Sequence, residues 1–242
     1  MTSGKTLRID GIETRARLKE AAQRLFAERG LEGASVQEIV SAAGQRNNAS
    51  LRYYFGTKLD LARELLVDGA SMLDAHRQAM LDELEREGEP RLRAVLEALS
   101  RPVLELSKSP GQANYMRMVA NFQLNNRAFL REALEERWNA GYKRCVAHLM
   151  KLAPQVPQPI LEQRISLAGI YGNAVWAARE AALHAAVPGK LWSDAFTIAN
   201  VMDTLQLFIE MPPSEETLAL LEKDRVTAQG RNRPGRRATR PR

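Results

Sequence analysis

The run Gln45-Arg46-Asn47-Asn48-Ala49-Ser50-Leu51-Arg52-Tyr53-Tyr54 concentrates side chains that could hydrogen-bond a nucleic acid. An arginine grips guanine through two N–H donors, and asparagine or glutamine can hold adenine the same way, each pair worth about 1–3 kcal/mol of discrimination. Gln45, Arg46, Asn47, Asn48, Ser50 and Arg52 carry that chemistry. Tyr53, Tyr54 and Lys58 offer donors that suit phosphate oxygens, as do Thr14 and Arg15 upstream. Ser35 completes this set of duplex-facing candidates.

Base readers work only on a rigid mount, and the flanking pattern supplies one. Ser35 and Glu38 form an S-x-x-E capping box, which starts a helix by satisfying orphan amide donors. Val36, Ile39, Val40 and Ala43 follow at helical spacing, so one face is apolar, and Gly44 ends the helix. After the polar run, Leu51 and Phe55 lie four apart and can anchor a second short helix while its other side stays free. Gly56 breaks again, and Thr57 with Asp60 can cap the next helix. Helix, glycine turn and short helix with a polar leading edge is the helix-turn-helix pattern. A first helix, about Glu13 to Arg29 with Leu18, Ala22, Leu25 and Phe26 on one face, makes it a three-helix unit. Such a unit is too small to be comfortable alone and needs a neighbour.

AAQRLFAERG, then SVQEIVSAAG, then LRYYFGTKLDL, resembles the DNA-binding domain of the tetracycline-repressor (TetR) family of transcriptional regulators over about residues 12 to 66. Arg52 and Tyr54 stand where that pattern often has tyrosine and histidine. The resemblance implies an all-α protein that binds operator DNA as a homodimer through its last two long helices. It also implies a small-molecule pocket within the C-terminal helices. Arg117, Asn121, Phe122, Trp138, Tyr142, Tyr171 and Trp176 are the candidates for that pocket, with Met116, Met118, His148 and Asn173 near them in helical register. Apolar walls with a few polar anchors describe most small-molecule sites, and also many ordinary cores. A hydrophobic effector, such as an acyl or ring-fused lipid metabolite, is the expectation.

Other chemistries find little support. His76, His148 and His184 are far apart, and none has a Cys or His three or four residues away, so no metal is expected. No Gly-rich phosphate loop, HExxH or nucleophile elbow occurs; neither cofactor nor catalytic residue is assigned, and no enzyme is expected. The single cysteine, Cys145, forbids an intramolecular disulfide and fits a reducing compartment. No export signal or membrane-length apolar run is present, so the expectation is a soluble cytoplasmic protein that does not engage membranes.

The net charge of +6 is unevenly spread. Residues 1–58 carry ten Lys/Arg against six Asp/Glu, and residues 225–242 carry seven arginines and no acids, leaving 59–224 at −5. A positive front and an acidic body suit a protein that presents one region to a polyanion.

Beyond the head, the spacing predicts helices from Lys58 to Glu87, Leu92 to Leu106, Tyr115 to Leu124, Phe129 to Leu152, Ile160 to Ala186 and Trp192 to Met211. Pro102 should kink or shorten the second of these. A short helix over Ser214–Lys223 and a disordered basic tail from Arg225 complete the chain. The organisation expected is a helix-turn-helix DNA-binding domain (1–57), a helical effector-binding and dimerisation domain (58–224) and the tail (225–242). The functional expectation is a ligand-responsive repressor on a palindromic operator. The alternatives are a ligand-sequestering helical protein, or a helical-bundle enzyme, that retains a DNA-binding head.

Overall fold

The computed structural model describes residues 3–134, 138–185 and 189–231. Among these the chain is all-α: α1 (Ser3–Gly33), α2 (Val36–Ala42), α3 (Ala49–Phe55), α4 (Lys58–Glu87), α5 (Leu92–Leu106), α6 (Tyr115–Asn125), α7 (Arg127–Leu134), α8 (Ala140–Leu152), α9 (Gln158–Leu183), α10 (Thr197–Glu210) and α11 (Glu215–Arg231). A 3-10 turn, Lys190–Trp192, lies between α9 and α10. No described helix is long and apolar enough to cross a membrane.

The head is built as its sequence dictates. Leu18, Ala22, Leu25 and Phe26 of α1 are buried against Ile39 and Val40 of α2, Leu51 and Phe55 of α3, and Leu61, Leu65 and Leu66 of α4 in one continuous core. Both capping boxes form: the Glu38 amide donates to Ser35 Oγ at 3.2 Å and the Asp60 amide to Thr57 Oγ1 at 3.1 Å, each carboxylate receiving the cap's own N–H in return. Such a cap is worth about 1 kcal/mol, and it fixes where α2 and α4 begin. Gly30 takes φ 74°, ψ 178° and ends the regular part of α1. A Cβ there would meet Asn121 Oδ1 of α6 at 2.7 Å, so close packing as well as the backbone angle demands glycine.

Several expectations are corrected. The helix expected over Trp192–Met211 begins at Thr197, with Lys190–Trp192 a separate 3-10 turn. The first helix begins at Ser3 rather than Glu13, because nothing upstream breaks it and Gly11 lies against the Tyr54 hydroxyl of α3. The helix expected over Phe129–Leu152 is two, α7 and α8, with Asn139 outside helical geometry. There the Gly141 amide donates to Asp74 Oδ1 at 2.7 Å, so a carboxylate on α4 caps the start of α8. The last helix runs to Arg231 instead of giving way to disorder at Arg225; residues 232–242 lie outside the described residues. Pro102 is buried within α5, which keeps its full span from Leu92 to Leu106 while Val95, Val103 and Leu106 stay in the core.

α6 joins head to body. Phe122 is fully buried between Phe26 of α1 and Phe129 of α7, with ring centroids 5.9 and 6.1 Å away. Buried Gln23 of α1 donates to Gln112 Oε1 and accepts the Asn114 amide, both at 3.2 Å. At its other side, α6 is capped by Glu180 of α9, which accepts from the amides of Met116 and Arg117 at 3.2 and 3.0 Å.

Candidate functional site

At the tip of the head, Arg46, Asn48 and Arg52 are exposed, and their side chains make no hydrogen bond to other described residues; Ser50 is half-buried. Tyr53 is 82% exposed, edge-on to half-buried Tyr54 with centroids 4.9 Å apart. Leu51 and Phe55 are buried behind them, so α3 turns its polar edge outward by burying its apolar one. Gln45 is half-buried, and its amide donates to Val40 O at 2.9 Å in the turn that Gly44 makes at φ 71°. Asn47 spends its Oδ1 on the Ala49 amide at 2.9 Å, starting α3 and leaving its NH2 group to donate outward.

Three of the duplex-facing candidates are engaged by partners within the protein, and a fourth is half-buried. Lys58 donates to the carbonyls of Leu31 and Ala34 at 2.7 and 3.1 Å, satisfying acceptors left over where α1 breaks at Gly30. Arg15 pairs with both oxygens of Glu64 on α4 and lies over the Phe55 ring, 4.9 Å from its centroid. Ser35 is occupied in its capping box. Thr14 is half-buried on α1.

The body holds a partly open cavity of about 380 Å³ between α4, α5, α6, α7, α8, α9 and α10. Trp138, Tyr142 and Trp176 line it, as does Asn173, which donates to Gln123 Oε1 at 2.8 Å. Burial pushes the Tyr142 hydroxyl's pKa up, so the group stays neutral there. The other four pocket candidates are elsewhere. Arg117 turns to Asn114 Oδ1 at 2.9 Å, Asn121 lies against Gly30, and Phe122 is locked between head and body. Tyr171 packs on Phe208, centroids 5.2 Å apart, and lines a separate groove of about 500 Å³ beside α9 and α10. Each sits at helical register with residues that line this cavity but meets a different neighbour.

Sequence reasoning passed over Arg77, Ser100, Gln123, Arg127, Asn139 and Ser166, and the hydroxyl-bearing Tyr115, as polar groups of the lining. Arg77 carried a signal: it occupies the apolar stripe of α4, four residues from Leu73 and four from Leu81, both buried. Burial lowers its pKa, yet a guanidinium remains protonated across the ordinary range. Cys145 is buried and its thiol is pushed up to about 11 by that burial, which makes it an inert core residue. Among the described residues no group of His, Cys, Asp and Glu is arranged to hold a metal ion.

Comparison with known proteins bears on both halves. Residues 18–65 match the family model of bacterial regulatory proteins, tetR family, and residues 97–202 match that of the tetracyclin repressor-like C-terminal domain. No curated protein matches the chain. Among solved structures, a candidate tetR family transcription regulator from Shewanella sp. PV-4 aligns at 15% identity and TM-score 0.48, over 81% of this chain and 96% of that one. The TetR family transcriptional regulator PfmR from Thermus thermophilus aligns at 19% identity and TM-score 0.43, over 81% of this chain and 100% of that one. A candidate TetR-family regulator from Mesorhizobium loti MAFF303099 aligns at 15% and 0.44, over 82% and 96%. With family models matched in both the head and the body, this DNA-binding regulator belongs to the tetR family of bacterial regulatory proteins.

Proposed function

We propose that the protein represses transcription as a homodimer on a near-palindromic operator and is released by a small molecule held in the body cavity. The carrying observation is the polar edge formed by the turn and α3: the side chains of Arg46 and Asn48 stand exposed in the turn that leads into α3, and Arg52 stands exposed on α3 itself, which is pinned from behind by Leu51 and Phe55. Base edges in a major groove are reached by such leading residues. The head is residues 1–57 and the body 58–224, acting on the chromosome in the cytoplasm.

α9 and α10 supply the dimer face in this reading. Leu167 and Ile170 on α9, and Leu207 on α10 with Met211 at its end, are large apolar side chains left about half or more exposed. Exposed apolar side chains of that size on two packed helices favour a second copy over water. Release is carried by α6, which packs on α1 through Phe122 and gives Met116, Val119 and Gln123 to the cavity wall. An occupant that fits one position of α6 better than another shifts the heads. A coupling of about 1–3 kcal/mol changes operator affinity 5–150-fold.

The test is selection of duplexes from a random pool by the full-length protein. The expected product is two half-sites related by a dyad, about 34–36 Å apart or a multiple of that. Recovery of no sequence above random competitor overturns the proposal, and leaves the sequestering and enzymatic alternatives to be assayed.

A further inference from the structure

We propose that the body cavity takes a monocarboxylate with an apolar tail or ring, its carboxylate held by Arg77. This rests on the reading of the cavity as the effector site. The walls are mainly aliphatic and aromatic, and the charged residues among the described lining are Arg77 and Arg127, with no Asp or Glu. That is the reverse of the body around it, where residues 59–224 sum to −5. A cavity that concentrates positive charge inside an acidic domain attracts anions and turns cations away.

Arg77 is the anchor because of what surrounds it. Its one close acid, Asp74, spends Oδ1 on the Gly141 amide at 2.7 Å and Oδ2 on Gln78 Nε2 at 2.8 Å. Arg77 itself donates Nε and one terminal nitrogen to a single neutral acceptor, Leu99 O, at 3.4 and 3.2 Å. Three of its five N–H groups remain, including one on each terminal nitrogen, which is the fork a carboxylate accepts in two parallel bonds. A half-buried guanidinium that no described carboxylate hydrogen-bonds is held at a desolvation cost that an incoming anion relieves. One such charge balances a monoanion; Arg127, exposed at the margin, is placed to draw it in. The volume of about 380 Å³ lies at the small end of ligand pockets and leaves room for an apolar body beside Trp138 and Trp176.

The experiment titrates the full-length protein with octanoate, decanoate, dodecanoate and phenylbutyrate, each against the alcohol of the same skeleton, reading tryptophan fluorescence and thermal midpoint. Expected is a carboxylate that binds about tenfold or more tightly than its alcohol, the scale of a charge-assisted hydrogen-bond pair. In Arg77→Met the alcohol still binds and the preference disappears, whereas Arg127→Gln keeps most of it. Equal binding of acid and alcohol by the wild type overturns the proposal but leaves the cavity as an effector site. Binding of neither overturns both, and a preference that survives Arg77→Met overturns the assignment of Arg77. Should Arg77→Met fail to fold, the wild-type comparison decides alone. Operator selection is read independently of all these outcomes.

Discussion

Arg46 and Lys58 are both cations of the head, yet their surroundings assign them different work. The Arg46 side chain is exposed and unpaired among the described residues, so its removal costs the fold little, within about 0.5 kcal/mol. The loss falls on DNA: Arg46→Ala is expected to relax sequence preference at defined operator positions by about 1–3 kcal/mol, read from competition between single-base variants. Lys58 instead holds two carbonyls that α1 leaves over. Lys58→Met is expected to lower stability by about 1–3 kcal/mol, measured by urea unfolding, because buried acceptors lose their donor. If Lys58→Met unfolds like wild type and only changes the salt dependence of DNA binding, its ammonium serves phosphate instead. Glu180 yields a pH prediction. Burial raises its carboxyl from 4.5 to about 7, against the opposing pull of the Arg117 and Met116 amides and the charges of Arg117 and Arg179. The native state therefore keeps a proton that the unfolded chain has released. The stability this group contributes is full below about pH 4.5 and is lost as pH rises toward 7. Glu180→Gln should flatten that stretch of the midpoint-versus-pH curve; identical slopes in the two proteins would remove Glu180 from the account.

At the scale of elements, the two-helix solution over residues 127–152 turns on Asp74. Its carboxylate takes the first-turn amide of α8, and Gly141 allows the approach, since a Cβ there would lie 2.9 Å from Arg77 Cβ and 3.2 Å from Asp74 O. Asp74→Ala is expected to cost about 1–3 kcal/mol through the orphaned Gly141 amide. Hydrogen exchange should show faster amides at the start of α8 and unchanged ones in the head; uniform protection throughout would show that the cap is dispensable. α4 and α6 fit by a similar device. Gly69 lies flat against Tyr115, whose hydroxyl donates to Leu66 O at 2.9 Å, and a Cβ at 69 would stand 2.2 Å from that ring. α6 is thus seated on α4 by a tyrosine, on α1 by a phenylalanine and on α9 by a glutamate, which is why a ligand touching Met116 and Val119 can reach the head.

For the whole molecule, association and charge distribution decide behaviour. Leu207 is 61% exposed on α10 and lies outside the core, so Leu207→Glu is expected to leave the subunit's own fold intact, the midpoint falling only by what dimerisation adds. Sedimentation should then show monomer where wild type shows dimer, with operator affinity falling because two half-sites no longer bind as one. A wild-type protein that sediments as monomer at micromolar concentration removes the α9–α10 face from the proposal. Ionic strength is expected to act mainly through the basic head, because counterion release follows phosphate contacts and residues 59–224 sum to −5.

The sequence by itself determined the head and most helix boundaries. Capping boxes at Ser35 and Thr57, and glycines at 30, 44 and 56, are local signals, since a backbone angle or an orphan amide is satisfied within four residues. It also supplied Trp138, Tyr142 and Trp176 for the cavity. Tertiary structure decided what depends on partners distant in sequence: the break before α8, made by Asp74, and the diversion of Lys58 and Arg15 into the fold. It also decided which of several residues at helical spacing face the cavity. Arg117, Asn121, Phe122 and Tyr171 were in register but are rotated toward other neighbours, while Arg77, in plain view on the stripe of α4, faces in. Periodicity marks a helix's buried side; only the packing of its neighbours says whether that side meets a wall or a void.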